Sequence, residues 1–475
     1  MKNINSILLI ALALISTSAY SQTLISSEFL STTPAAANNY MSAVPQHYDV
    51  ANYKLVYSST GAQGDSTIAS GLLSIPVGIE CAEMPMLVYC HGTVLKKFEV
   101  PSSLNYAGGY VGQFASSGFI ALGPDYIGLG ESPGLHPYAH NTTEATAAID
   151  MIYAAREFLE GEEISDSHEV FITGFSQGGH AAMATLMYAQ ENDLLETIGI
   201  VAGAPCSGPY DLSGTTAPPI VFEQINYYFF GYVAFLMETY QLVYGNIYDD
   251  IDGFYKSPYN LTVPQYFDGE QNVYSMAYVN AQFPNSISAF LVDSVVSNLQ
   301  SNPNHPIWQA LADNNNYDWA PEMPLRMYYC TGDEQVYYVN STLAESTMLA
   351  NGAEDVEAIN LLSGGSHGQC FNPSLNAAWA FFSGMTTLCS PTSVKDVVVA
   401  PLEMFPNPAN GILNVNIPES AGILEMFDVH GKMVLTLNVQ SSQTSVDLSA
   451  LAAGYYVVKL SSPQGVYAGN VVVER

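Results

Sequence analysis

Basic side chains are scarce in this chain of 475 residues: 11 Lys plus Arg stand against 44 Asp plus Glu, a formal net charge of −33. So acidic a surface repels phosphate backbones and anionic lipid, which argues against any nucleic-acid partner. The deficit is uneven, with 6 basic and 37 acidic groups in residues 22–390 but 4 and 7 in residues 395–475. Long apolar runs are missing too. Ile7–Ile15 (ILLIALALI) is too short to span a bilayer. Lys2 before it and Ala19-Tyr20-Ser21 after it make residues 1–21 read as an export signal, cleaved before Gln22. No later stretch reaches about 18 uninterrupted apolar residues, so no transmembrane helix is expected in the mature chain. Cysteines number six and none has CxxC spacing, which leaves no zinc site. An even count in an exported chain permits three disulfides. The glycine-rich stretch Asp125–Ser132 has no lysine and no phosphate-loop spacing, so it reads as a tight loop on the face of a sheet. The acidic runs Asp249–Asp252 and Asp313–Asn316 match no EF-hand loop and read as solvated turns, so no metal is assigned.

Aromatic residues are plentiful, with 32 Tyr and 20 Phe, ample material for buried cores. Residues 48–76 alternate apolar and polar around Gly61–Asp65 and predict a hairpin. From Met84 onward strands alternate with helices. Strands are expected at 86–90, 119–124, 170–174, 198–203, 325–330 and 356–362, and helices at 141–160, 177–190, 339–351 and 373–385. Asn141-Thr-Thr-Glu144 resembles an N-cap box at the start of the first of these helices. Repeated β-α units predict an α/β domain with a mainly parallel sheet flanked by helices, over residues 22–390. Residues 207–323 break the rhythm and read as a large helical cap or lid insertion. Its aromatic run 225–245 nominates Tyr227, Phe229, Phe230 and Phe235 as substrate-lining. After a linker at 391–399, residues 400–475 carry short alternating strands separated by turns, the pattern of a small C-terminal all-β sandwich.

Gly174-Phe175-Ser176-Gln177-Gly178 is a G-x-S-x-G element between the strand VFIT and a helix-forming run. Such a sharp strand-to-helix turn lifts a serine hydroxyl above the sheet, and the flanking glycines remove Cβ atoms that would clash. Ser176 is therefore the expected nucleophile. A serine needs a base, and the base an orienting acid, in the chain order Ser, Asp, His. Asp333 follows the strand LRMYYC, at an edge where α/β active sites lie, with Glu334 as its rival. His367 lies in the glycine-rich stretch Ser363–Gly368 after the next strand, and His136, His140, His168, His180 and His430 fit worse. For the oxyanion, the backbone N–H of Gln177 is expected, joined by that of Thr93 in the Cys90–Thr93 loop, with Gly92 and Val94 as alternatives. His91 reads as a brace for that loop. Side chains alone supply this chemistry, so no cofactor is expected.

HGT (91–93), PDYIGLGESPGLHPY (124–138), GFSQGGH (174–180), TGDEQV (331–336) and GGSHG (364–368) resemble the α/β-hydrolase superfamily over roughly residues 45–388. The D-Y-x-G-L-G loop, G-[YF]-S-Q-G-G and the long insertion before the acid resemble the secretory lipases. That resemblance implies hydrolysis of carboxylic esters, lipids included, beneath a helical lid. Residues 400–475 resemble the C-terminal sorting domain of type IX secretion, through Phe405-Pro-Asn-Pro408, Asp428-Val-His-Gly431 and Gly454-Tyr-Tyr456. This implies the type IX machinery as a partner, and a location outside or on the outer surface of a Gram-negative bacterium. A serine peptidase or amidase of the prolyl oligopeptidase type would show the same triad. A surface-binding protein that keeps the fold without turnover is the reading from a different class.

Overall fold

The computed structural model describes residues 23–79, 81–269, 274–389, 400–417, 422–428, 432–462 and 465–474. The export signal at 1–21, the linker at 391–399 and His430 lie outside them. The chain divides into two compact units, residues 1–390 and 391–475.

The first unit is built on nine strands: β1 (Leu24–Thr33), β2 (Val50–Thr60), β3 (Ser66–Pro76), β4 (Glu83–Cys90), β5 (Ile120–Pro124), β6 (Ser165–Phe175), β7 (Ile200–Cys206), β8 (Leu325–Cys330) and β9 (Val356–Leu362). Their order across the sheet is β1-β2-β3-β5-β4-β6-β7-β8-β9. The first three pair antiparallel and β3 meets β5 antiparallel, while β5 to β9 form a parallel block. Period-2 alternation sends neighbouring residues to opposite faces. Met86, Val88, Val170 and Ile172 join a core on one face. Leu87, Tyr89 and Phe171 join a core on the other. Helices α2 (Asn141–Gly161) and α3 (Gln177–Glu191) cover the first face through Ala148, Met151, Ile152, Ala181 and Ala182. Helix α1 (Tyr106–Ser116) and the helix His367–Ser383 cover the second through Tyr110, Phe114, Leu375 and Phe382.

Between β7 and β8 the chain leaves the sheet and forms a set of short helices, the longest at Phe230–Tyr244. They close around their own aromatic core, which includes Phe230, Tyr240, Phe254, Tyr255 and Phe290. The second unit pairs a five-stranded sheet with a three-stranded one around Leu413, Val415, Leu424, Met426, Val458 and Leu460. Among the described residues, no helix is long and apolar enough to cross a membrane.

Several sequence expectations need correction. Strand β1 was not anticipated, because it is a sheet edge whose Ile25 and Phe29 face solvent, so it lacks the alternation of a half-buried strand. The N-cap of α2 is His140, not Asn141, and its side chain makes no cap bond. Asn141 instead binds the Asp313–Asn316 turn, where its backbone N–H donates to Asn314 Oδ1 at 2.8 Å. That turn is no solvated loop: Asn314 and Asn316 are buried and hydrogen-bond to α2 and α3. Two disulfides form rather than three, Cys81–Cys389 and Cys330–Cys370. Cys90 and Cys206 stay as buried thiols on the central strands β4 and β7.

Cys81–Cys389 joins the approach to β4 to the end of the first unit across 308 residues of sequence. A crosslink over so long a loop removes much denatured-state entropy. The double variant Cys81→Ser/Cys389→Ser is expected to lose about 2–5 kcal/mol of stability, read from the urea midpoint. An unchanged midpoint contradicts this.

Candidate active site

Strand β6 ends at Phe175 and α3 begins at Gln177, which leaves Ser176 alone in the turn. Its φ of 62° and ψ of −123° lie in a left-handed region that costs a non-glycine residue about 1–3 kcal/mol. The neighbours make the turn possible. A Cβ on Gly178 would land on the carbonyl oxygen of Cys90, and one on Gly174 on that of Gly178. Ser176 N donates to Cys206 O at 3.0 Å, which pins the turn to β7. The first N–H groups of α3 find no acceptor within the helix and gather positive potential beside the Ser176 hydroxyl.

Asp333 follows β8 and His367 follows β9, and the structure brings their side chains together. His367 Nδ1 lies 2.7 Å from Asp333 Oδ2, with both residues buried. The other carboxylate oxygen, Oδ1, accepts from Gln335 N at 3.0 Å and Val336 N at 2.8 Å. Glu334 does not reach the ring. Its carboxylate accepts from His367 N at 3.1 Å and so holds the backbone. The Cys330–Cys370 disulfide sits three residues before the acid and three after the histidine, stapling the two segments. His367 is not in a loop, as its glycine-rich context suggested, but is the first residue of a helix that Ser366 and Gln369 open with a capping box. The helix expected at 373–385 therefore begins six residues earlier, with Pro373 inside it. His367 and Ser176 line one open pocket of about 440 Å³, together with Gly92, Thr93 and Val94.

Beneath the serine lies a polar network that the sequence reading missed. The Gln177 amide Nε2 donates to Glu144 Oε1 at 2.9 Å and to His136 Nε2 at 2.6 Å. His136 Nδ1 in turn donates to Ile127 O at 2.8 Å. Glu144 Oε2 meets His180 Nδ1 at 2.6 Å, and His180 Nε2 faces Asn314 O at 3.0 Å. Gln177, Glu144, His136 and His180 are all buried. Burial pushes the His136 ring down to about 3, which keeps it neutral and able to accept from Gln177. The available signal was Glu144 itself, an acid three residues before Ala147 on the apolar stripe of α2. His91 is neutral and buried, with ring nitrogens 2.7 Å from Gly92 O and 3.3 Å from Asp125 O, and so braces its loop. Thr93 Oγ1 donates to Tyr138 OH at 3.1 Å.

The cap aromatics divide. Tyr227 lines a second pocket of about 80 Å³ that also reaches Ser176 and Gln177. Phe229 packs on Tyr227 and Tyr232. Phe230 and Phe235 belong to the cap core instead, against Phe290 and between Tyr138 and Phe267. Aromatic density in a run does not distinguish the inner from the outer face of a cap. Tyr232 and Gln335, not anticipated, line both pockets together with Ser176.

A parallel sheet with helices on both faces, a strand-serine-helix turn and a helical insertion before the acid-bearing loop define an α/β hydrolase. The chain belongs to the secretory lipase family, which it matches over residues 109–379, and is a carboxylic ester hydrolase. Residues 403–474 match the secretion system C-terminal sorting domain, so the protein is exported to the cell surface or beyond. The rice cell wall degrading esterase LipA from Xanthomonas oryzae is 28% identical, with a TM-score of 0.67 over 76% of this chain and 97% of that one. Lipase A from Candida antarctica shares the fold at 16% identity and a TM-score of 0.57, over 78% and 84%. No curated protein sequence matches the chain.

The turn at Ser176 makes Gly178→Ala severe, because the new methyl meets backbone; a loss of more than about 3 kcal/mol is expected. Gly92→Ala places its Cβ 3.4 Å from Phe175 O, an ordinary contact, and keeps the fold. Equal urea midpoints for the two variants would contradict this account.

The depressed His136 pKa also predicts a pH dependence. Unfolded, this ring takes up a proton below about 6.5, whereas folded it does so only near 3. Its contribution to stability is therefore complete above pH 6.5 and declines as pH falls toward 3. Between pH 6.5 and 4.5 it accounts for about 2 kcal/mol of lost stability. His136→Gln is expected to flatten the urea midpoint against pH by that amount; a slope equal to wild type refutes the assignment.

Proposed function

We propose that this secreted ester hydrolase works through Ser176, His367 and Asp333, by way of an acyl-enzyme. With Nδ1 committed to Asp333, the His367 ring presents Nε2 as the base. Ser176 Oγ attacks the acyl carbonyl as His367 Nε2 takes its proton, and Asp333 holds the ring in the tautomer that allows this. The N–H of Gln177 at the start of α3 and that of Thr93 stabilise the oxyanion. Collapse expels the alcohol, which leaves with the proton from His367. Water then attacks the acyl-Ser176 ester by the same route, releasing the acid and restoring the hydroxyl.

The observation that carries this reading is the 2.7 Å contact between His367 Nδ1 and Asp333 Oδ2, in a ring that shares its pocket with Ser176. The substrate side is supported by the apolar pocket at Ser176. Through Leu212, Thr216, Ile220, Val233 and Leu236 it shares walls with a further chamber of about 70 Å³ inside the cap. That chamber is closed by Met237, Leu299 and Trp308 among others, a lining suited to an aliphatic acyl chain from a small ester or a lipid.

A p-nitrophenyl ester series from C2 to C16 tests both parts. Ser176→Ala is expected to lose at least about 1,000-fold in kcat/KM. Ile220→Trp, which fills the wall common to the two chambers, is expected to move the preferred chain to shorter acids. Ester turnover that survives Ser176→Ala overturns the mechanism. Cleavage of peptide p-nitroanilides without ester turnover would move the assignment to a peptidase.

A further inference from the structure

The loop that carries Asp333 is tied to the cap at one residue. Gln335 O accepts from the Tyr227 hydroxyl at 3.0 Å, and Gln335 Oε1 accepts from the Tyr232 hydroxyl at 3.3 Å. The first of these bonds has a particular geometry. The carbonyl of Gln335 and the N–H of Val336 belong to one planar peptide unit, and that N–H donates to Asp333 Oδ1 at 2.8 Å. One rigid plane thus accepts a hydrogen bond from a cap hydroxyl at one edge and donates one to the acid at the other. Hydrogen bonds in such a chain polarise one another, so the Tyr227 bond strengthens the Val336 N–H as a donor. Any tilt of the plane also reaches a carboxylate whose second oxygen holds His367.

Tyr227 suits this task. It is buried, and burial raises its pKa well above the usual phenol range, so the hydroxyl remains a donor. Its ring lines the pocket at Ser176, packed beside Phe229. The tyrosine that feels the occupant of the pocket is therefore the one that bonds to the acid's loop.

We infer that Tyr227 is a positioning residue: through the peptide plane between Gln335 and Val336 it sets the orientation of Asp333, so that the seating of the cap governs how well the acid holds His367. This rests on the triad proposed above. Cap and acid are then coupled without the cap touching the reacting atoms. Substrate that presses Tyr227 into place aligns the acid at the same moment.

Tyr227→Phe keeps the ring and deletes the hydroxyl. For the full-length protein acting on p-nitrophenyl butyrate, kcat is expected to fall about three- to tenfold, the worth of one hydrogen bond to a positioned group. KM is expected to stay within about twofold, because the wall of the pocket is unchanged. The rate of Ser176 labelling by a fluorophosphonate should fall by the same factor as kcat. In an Asp333→Asn background the substitution should change neither rate, since its route to the histidine runs through that carboxylate. Equal losses in both backgrounds, or an effect on KM alone, overturn the inference and leave the triad standing. Full activity in Asp333→Asn itself would overturn the triad, and the inference with it.

Discussion

The structure is organised around a single strained residue. Ser176 holds a positive φ because three strands leave it no alternative: β6 delivers it, the carbonyl of Cys90 on β4 fills the space beside Gly178, and that of Cys206 on β7 takes its N–H. A backbone conformation that costs about 1–3 kcal/mol persists only where its surroundings over-determine it. Here they do so with main-chain atoms of a parallel sheet, which are among the least mobile in a fold. The two reduced cysteines fit the same logic. Cys90 and Cys206 occupy the strand ends that press on the turn, and both are completely buried. They act there as small apolar side chains rather than as redox groups.

Holding the serine is only half of the problem, because α3 must also keep its start in place. The side chain of Gln177 reaches into the Glu144, His136 and His180 network. Burying a carboxylate costs several kcal/mol unless it is paired and hydrogen-bonded. Glu144 has both the His180 ring and the Gln177 amide, and His180 reaches on to Asn314 at the foot of the cap insertion. The network thus joins α2, α3 and the last turn before β8 by directional contacts, where apolar packing alone would permit sliding.

The fold was legible because its signals are local and periodic. The hairpin read at residues 48–76, the β-α alternation and the short strands of the sorting domain each follow from a local pattern, and each is present. The turn at Ser176 was legible for the same reason, since two glycines flanking a serine between strand and helix admit few geometries. What escaped notice depends on partners distant in sequence. Glu144 was read as a cap residue because its bond to His180 spans 36 positions. Asn314 and Asn316 were read as solvated because the groups they satisfy lie on α2 and α3. Phe230 and Phe235 were placed at the substrate because a run of aromatics does not say which side of a helix faces the cleft. The cysteine pairing stayed open for the same reason.

The position of the insertion explains why cap and site are so closely joined. It enters after β7, whose last residue Cys206 accepts the Ser176 N–H, and returns into β8, whose far end leads to Asp333. A segment spliced there is flanked by the two strands that carry the backbone support of Ser176 and Asp333. Its first residues already touch the site: a Cβ on Gly208 would collide with the ring of Tyr210 and the backbone of His180. Its last helix ends at Asp313, from where Asn314 to Asn316 fasten onto α2 and α3. A cap hung from an outer loop could open without consequence for the chemistry. One inserted between these two strands is bonded to β8 at its first root, where Ser207 N donates to Tyr328 O at 2.9 Å, and to α2 and α3 at its last, so the cap and the pocket at Ser176 belong to one mechanical unit.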